Sequence, residues 1–451
     1  MKRLRIFLAG WVVILVTVTG LFLFNQFMTG PARADSEAYE ELKLFTEVLT
    51  IVNKNYVEKV NVKDLVYGAI RGMLKTLDPH SSFMSPDAYK EMQIDTTGEF
   101  GGLGIQIGIK DGILTVIAPI EDTPAWRAGI KAGDKIIKVE GEPTKDMSLI
   151  EAVHKMRGPR GTKVTITVFR EGWKETKDFD IVRDIIKIKS VKYKVVDDSI
   201  GYVKISQFQQ RTASELEKAL KSLKGDKVDS LILDLRNNPG GLLKSAVDVS
   251  GEFLPPGKLV VYIQGRTGKK LDYLTKGKRP SYDWPMVVLV NQGSASASEI
   301  VAGAMKDWKR AVLIGVKTFG KGSVQSVIPL SDGSGLRLTT AKYYTPSGVS
   351  IQNTGIEPDI KVKLVVKNGK GHPVLREKDL SRHLENEQAP ENGKETTKET
   401  TKDKKKEIVP LTIDEKDDTQ LQRSIDLLKS WRIFKNMPLM KPEAAARGKS
   451  G

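Results

Sequence analysis

The apolar positions change their period three times along the chain, and each change marks a different kind of structure. Between about 36 and 95 they recur at helical spacing. Leu42, Leu44, Phe45, Val48, Leu49, Val52 and Tyr56 form one stripe, and Leu65, Val66, Ala69, Ile70, Met73 and Leu74 form a second. Asp78-Pro79-His80-Ser81-Ser82 interrupts the pattern as a turn does. From about 98 the texture becomes short strands separated by glycine turns. Ile105, Ile107 and Ile109 alternate, Leu114–Ile117 and Ile136–Val139 are apolar runs, Pro124–Ala128 reads as a short helix, and another spans Leu149–Met156 before the strand Val164–Phe169.

Between about 199 and 360 strands alternate with helices. Strands are expected at Ile200–Ile205, Leu231–Leu235, Leu259–Ile263, Met286–Val290 and Ala311–Ile314, with helices near 242–253 and 296–308. Thr212-Ala213-Ser214-Glu215 has capping-box spacing ahead of a further helix. This alternation predicts one largely parallel sheet covered by helices. Residues 376–410 are polar and repetitive (Lys394-Glu395-Thr396-Thr397 is followed by Lys398-Glu399-Thr400-Thr401) and read as a flexible charged linker. An amphipathic helix through Leu421, Ile425, Leu428 and Trp431 closes the chain and is expected to dock on a folded part.

The first 34 residues are of another kind. A basic start, MKRLR, precedes the uncharged stretch Ile6–Phe24, and Ala32-Arg33-Ala34 has small residues at A-x-A spacing. The apolar stretch is long for a cleaved signal and nearly long enough to span hydrocarbon, so a signal peptide and a retained membrane anchor both fit. Either puts the remainder outside the cytoplasm, since the basic residues precede the span. The expected location is the periplasm or cell envelope, with anchoring to the inner membrane as the second form. The expected segments are therefore 1–34 signal or anchor, 35–97 helical, 98–185 strand-rich, 186–375 α/β, 376–410 linker and 411–451 C-terminal helix.

The formal charge of +16 changes little, because four of the basic residues (Lys2, Arg3, Arg5, Arg33) belong to the leader and another cluster lies in the polar tail. No Arg-rich helix, zinc spacing or aromatic-flanked basic run accompanies it, so no nucleic-acid partner is expected. Absence of cysteine removes disulfides and thiolate chemistry. The four histidines, His80, His154, His372 and His383, all lie outside the alternating α/β region, which leaves a Ser-His-Asp triad without an obvious base. No metal or cofactor motif is present.

Three stretches of the α/β region could carry chemistry. Asn291 to Glu299 joins a strand to a helix and holds Ser296, whose hydroxyl would stand beside unpaired helix N–H groups that can stabilise an oxyanion. Ser296 and Glu299 also make an S-x-x-E capping pattern, so plain helix capping explains the same residues. Thr318 to Gln325 holds Lys321 among glycines, two positions from Phe319 and with no acidic residue from 316 to 330. A sheltered lysine without a carboxylate neighbour loses its proton more readily, as a general base at neutral pH must; a surface lysine in a glycine turn is the plainer alternative. Asp234 to Gly241 is a glycine-rich turn at the carboxyl end of a buried strand, where α/β sheets bind ligands.

Taken together, Gly98-Glu99-Phe100-Gly101-Gly102-Leu103-Gly104-Ile105, Arg236-Asn237-Asn238-Pro239-Gly240-Gly241, the run from Gly293 to Ala304, and Thr318-Phe319-Gly320-Lys321-Gly322-Ser323-Val324-Gln325 resemble the C-terminal processing peptidases, or tail-specific proteases. That resemblance implies a ClpP/crotonase-like α/β core with an inserted PDZ domain, a helical N-terminal region and a C-terminal helix. It implies a serine-type endopeptidase with a Ser–Lys dyad, in which Ser296 is the nucleophile, Lys321 the base and Gln325 the residue that orients the lysine amine. Ala297 with Gly240 or Gly241 would form the oxyanion hole. Gly102, Leu103, Gly104 and Ile105 would hold a free apolar C-terminus, that of an exported or misfolded protein, and Arg157 would sense the PDZ position. Homodimers are also implied. Val316 departs from the pattern, where an acidic residue is expected. A PDZ adaptor on an inactive peptidase fold, and an acyl-CoA enzyme of the crotonase type, are the competing readings.

Overall fold

The computed structural model describes residues 36–197, 199–277, 282–364, 375–388 and 417–437. The expected leader and the repetitive part of the tail lie outside the described residues, as do residues 365–374 and 438–451. Two compact units divide at Met73/Leu74. In the first, the helix Ser36–Asn55 leaves much of its predicted stripe uncovered, with Leu42, Leu44, Phe45 and Val48 exposed. The helix Val62–Lys75 carries the second stripe. No helix among the described residues is long and apolar enough to cross a membrane.

The second unit is built on a six-stranded sheet in the order Val191–Val196, Ile200–Ile205, Ser230–Asp234, Met286–Val290, Val312–Gly315, Ile360–Lys361. The first pair is antiparallel and the rest are parallel. Ser230–Asp234 and Met286–Val290 are buried throughout, as expected of runs covered on both faces. Because the parallel strands follow one another in a single direction, right-handed crossovers stack the helices Thr212–Gly225, Leu243–Gly251 and Ala297–Asp307 on the same face. Leu231, Leu233, Val288 and Val290 point into that layer. The opposite face, carrying Ile200, Ile232, Val287, Leu289 and Ile314, is left for another element, and Leu421, Ile425 and Leu428 of the helix Thr419–Asn436 cover it. Trp431, expected on the same stripe, is 55% exposed and takes no part.

Three other expectations are corrected. Leu259–Gly265 leaves the parallel sheet and pairs antiparallel with Lys270–Leu274 and Gly335–Tyr344, because its burial is partial and a hairpin partner follows directly. Ser82–Met84 and Ser323–Pro329 join the same second sheet. Glu215 does not cap its helix; its carboxylate accepts the Ser190 amide and hydroxyl instead. Finally, residues 376–388 are no free linker. Glu377 is fully buried and its amide donates to the Phe319 carbonyl, while Gln352, Asn353 and Lys342 all donate to the 384–387 stretch.

The inserted module is a sheet in the order Ile105–Lys110, Ile113–Pro119, Lys135–Val139, Lys163–Phe169, Lys177–Val182. Its own core includes Leu114, Val116, Ile136, Val164, Ile166 and Ala152. The chain enters along Glu99–Gly102 and leaves along Asp184–Lys187, and these two segments pair with each other, so the module hangs on one antiparallel ribbon.

Candidate active site

Two turns at the carboxyl ends of adjacent parallel strands form the floor of the site. Asn291, directly after Met286–Val290, accepts the Asn237 and Gly293 amides on its side-chain oxygen and donates to the Asn237 side chain. Ser294 Oγ donates to the Leu235 carbonyl, and the Ala295 amide and Ser298 Oγ both donate to the Asn238 carbonyl. Residues 235–241 and 291–298 are thereby zipped together. At the end of this zipper Ser296 adopts φ 55° and ψ −113°, an unfavourable conformation for a residue with a Cβ, immediately before the helix Ala297–Asp307. Strain of this kind costs about 1–3 kcal/mol and persists only where surrounding contacts impose it.

Gly240 lies against this point. A Cβ there would stand 2.8 Å from both the Ala295 carbonyl oxygen and Ser296 Cβ and 3.0 Å from the Ala297 nitrogen, and its φ of +104° favours glycine independently. The Gly240 amide donates to Asn238 Oδ1 at 2.9 Å. Neither the Gly241 nor the Ala297 amide makes a backbone hydrogen bond among the described residues. Of the two glycines considered for the oxyanion hole, Gly241 has the available donor and Gly240 the close approach.

Glu299 ties the second stretch to the first. It is fully buried, and its Oε2 accepts the amides of Ser296 and of Lys321, each at 2.9 Å. Its Oε1 accepts Thr318 Oγ1 and the Gly320 amide at 2.7 Å. One arm of the expected capping box is therefore real, and the same carboxylate brings position 321 beside position 296. Burial pushes Glu299 up to about 7, against the four hydrogen bonds that favour its ionised form.

Lys321 is half-buried. Burial pulls its ammonium pKa down from the ordinary lysine range, with Arg337 acting in the same direction and Glu377, Glu299 and Asp78 opposing. The lysine is therefore not without charged neighbours, as the local sequence implied. Its carboxylate neighbours come from distant segments: Glu377 from the misread tail and Asp78 from the turn after the second helix. His80 Nε2 lies 2.8 and 2.9 Å from the two oxygens of Glu377, so one of the four histidines does reach this region. No hydrogen bond joins Lys321 Nζ to Ser296 Oγ among the described residues, and none joins either to a histidine. Gln325 does not orient the lysine amine; its Nε2 donates to Ser323 Oγ at 3.0 Å and Thr339 Oγ1 at 3.4 Å. Asp78, His80 and Glu377 are the residues around Lys321 that sequence reasoning missed. The Asp-Pro-His turn was visible but had no partner in view.

In the inserted module, Gly104 (φ +79°) is packed so closely on Thr123 that a Cβ would fall 2.3 Å from it. Leu103 is buried, and the Leu103 and Gly104 amides make no backbone hydrogen bond among the described residues. Ile105–Lys110 is the sheet edge beyond this turn. Arg157, the residue capping the helix Leu149–Met156, pairs with Glu91 and lies 4.6 Å over the Phe100 ring. It thus joins the module to the helix Pro86–Thr97, beside a cavity of about 430 Å³ lined by Glu91, Phe100 and His154.

Residues 199–362 match Peptidase family S41, residues 115–170 match the PDZ domain, and residues 24–88 match the N-terminal domain of the activating protease CtpB. The chain is 43% identical over 401 residues to the carboxy-terminal-processing protease of Bartonella bacilliformis, covering 88% of this chain and 90% of the relative. The chain belongs to the C-terminal processing peptidases of family S41. Similar relatives include the carboxyl-terminal-processing protease of Synechocystis (39% identical over 345 residues, covering 71% of this chain and 80% of the relative). Another is the carboxy-terminal processing protease CtpB of Bacillus subtilis (37% over 337 residues, covering 74% and 70%). This S41 chain is a serine peptidase with a mixed α/β peptidase fold, a PDZ domain, a helical N-terminal region and a C-terminal helix. The strained turn at 296, the Gly240–Gly241 turn packed against it and the half-buried Lys321 lie within the S41 match.

Proposed function

We propose that this S41 peptidase cleaves exported or misfolded proteins near their C-termini with a Ser–Lys dyad. Ser296 Oγ attacks the scissile carbonyl carbon and passes its proton to Lys321 Nζ. The developing oxyanion accepts hydrogen bonds from the amides of Ala297 and Gly241. Lys321 then protonates the leaving amine, and a water attacks the acyl-serine with the same lysine as base. The observation carrying this reading is the single oxygen, Glu299 Oε2, that holds the backbones of Ser296 and Lys321. The free amides of Leu103 and Gly104 suit a substrate carboxylate, and the Ile105–Lys110 edge suits strand addition by the residues before it. Arg157, joining module and core, is the candidate sensor of that event. The basic start and apolar stretch of residues 1–34 support a location at the cell envelope, and the uncovered stripe of the helix Ser36–Asn55 supports self-association.

The test uses an unstructured polypeptide with an apolar C-terminal residue, offered with a free or an amidated C-terminus. Ser296→Ala and Lys321→Ala each abolish cleavage while the fold is retained, and amidation slows the wild type at least tenfold. Full activity in either variant removes the dyad. Equal rates on the two substrates remove carboxylate capture.

A further inference from the structure

Tyr343 stands in the second sheet, on the strand Gly335–Tyr344, and its amide donates to the carbonyl of Gly322, the residue after Lys321. The side chain is 2% exposed, among the larger fully enclosed side chains of the core. Its hydroxyl is one of two buried side-chain polar atoms left without an aligned hydrogen-bond partner among the described residues, the other being Ser245 Oγ. The Ser296 side chain is within interaction range of the Tyr343 hydroxyl, although no aligned hydrogen bond joins them. An orphaned buried hydroxyl costs stability, about 1–3 kcal/mol in general, and an apolar ring would fill the same space without that cost.

We propose that Tyr343 is a further catalytic residue of this peptidase, its hydroxyl donating a hydrogen bond to Ser296 Oγ. The inference rests on the Ser–Lys reading above. A serine hydroxyl can accept one hydrogen bond while donating another. If Oγ accepts from Tyr343, its own proton is left to point elsewhere, and the lysine amine is the base on offer. The same donor serves when the acyl-enzyme breaks down. As the bond between Oγ and the acyl carbon cleaves, the electron pair returns to Oγ, and a hydrogen bond from Tyr343 stabilises it until Lys321 returns the proton. Tyr343 keeps its own proton throughout, so each step balances with Lys321 as the only carrier. Burial, with the nearby carboxylates Glu299 and Glu377, pushes the phenol well above its ordinary range; the Ser296 side chain acts in the opposite direction and is outweighed, so the phenol keeps its proton and can donate.

Tyr343→Phe removes only the oxygen, and four proteins separate the possibilities: wild type, Tyr343→Phe, Ser296→Ala and Lys321→Ala. Each is measured for steady-state cleavage of an internally quenched peptide with a free apolar C-terminus and for thermal unfolding. Tyr343→Phe should lower kcat by ten- to a hundredfold with KM within twofold. It should unfold at the wild-type temperature or above, and its reaction with a fluorophosphonate probe of the serine should slow by a similar factor. Wild-type kcat in Tyr343→Phe, with both dyad variants inactive, overturns the proposal and leaves the dyad standing. Activity in Ser296→Ala or Lys321→Ala overturns the dyad and this proposal with it. A lower unfolding temperature together with unchanged probe reactivity assigns the tyrosine to packing and also overturns it.

Discussion

Replacing Glu299 by glutamine tests the carboxylate that joins the two halves of the site. The natural orientation keeps the amide oxygen on the Ser296 and Lys321 amides and turns the amide nitrogen toward Thr318 and Gly320. Thr318 Oγ1, which already accepts the Ile356 amide, can also accept from that nitrogen, but its own proton and the Gly320 amide both lose their acceptor. Each buried donor without a partner costs about 1–3 kcal/mol. Against this stands the titration. The folded carboxyl is raised from 4.5 to about 7, so the unfolded chain ionises first as the pH rises. The contribution of Glu299 to stability is therefore complete below its unfolded value and is lost as pH rises through about 7. Glutamine does not titrate. Between about pH 5 and about pH 8.5 the wild type should lose about 2.5 kcal/mol relative to Glu299→Gln, taking ~1.36 kcal/mol per pKa unit. Urea unfolding of both proteins at the two pH values measures the difference. The variant should be close to or below the wild type in acid and gain on it in base. A difference that stays constant with pH, or that moves in the wild type's favour toward high pH, refutes the buried, raised carboxyl.

Gly240→Ala should lower the unfolding temperature and reduce kcat at least a hundredfold, since the new methyl meets the Ala295 carbonyl and Ser296 Cβ at 2.8 Å and a φ of +104° is strained for a residue with a Cβ; thermal unfolding beside peptide turnover checks both halves. Glu377→Gln removes the carboxylate that most raises Lys321, so the lysine should deprotonate at lower pH and the acid limb of the kcat profile should move downward; an upward move contradicts the electrostatic assignment. Asp418→Ala leaves Arg236 short of a partner in its buried network and should cost about 3–5 kcal/mol, read as a fall in the urea midpoint and faster proteolysis of the terminal helix. Gly104→Ala should weaken peptide binding to the PDZ module at least tenfold by calorimetry, because its Cβ overlaps Thr123.

The chemistry-bearing stretches were legible because each is local. Met286–Val290 is an uninterrupted apolar run, Ser296 follows it at a strand-to-helix turn, and Lys321 sits among glycines with meaning only at close backbone approach. What was not legible is the company these residues keep. Glu377 and His80 meet across 297 positions, and no periodicity links them. The stretch after 375 is polar because it pairs with Gln352, Asn353 and Lys342, whereas polarity alone reads as a linker. Leu259–Gly265 has the composition of a sheet strand but not an address, and only its hairpin partner decides which sheet receives it. Trp431 fits the helical stripe of Leu421, Ile425 and Leu428, but periodicity gives the direction of a side chain and not whether protein lies beneath it.

Arg236 has its own consequence for how the enzyme comes into being. Its guanidinium sits between Asp234, at the start of the turn leading to Gly240 and Gly241, and Asp418 with Gln420, at the head of the helix Thr419–Asn436. During synthesis the turn emerges some 180 residues before those last partners. Until they arrive, one face of the central sheet is bare and the arginine is half neutralised. The helix Thr419–Asn436 thus completes the support beneath the turn at 236–241 only after the rest of the central sheet has been made.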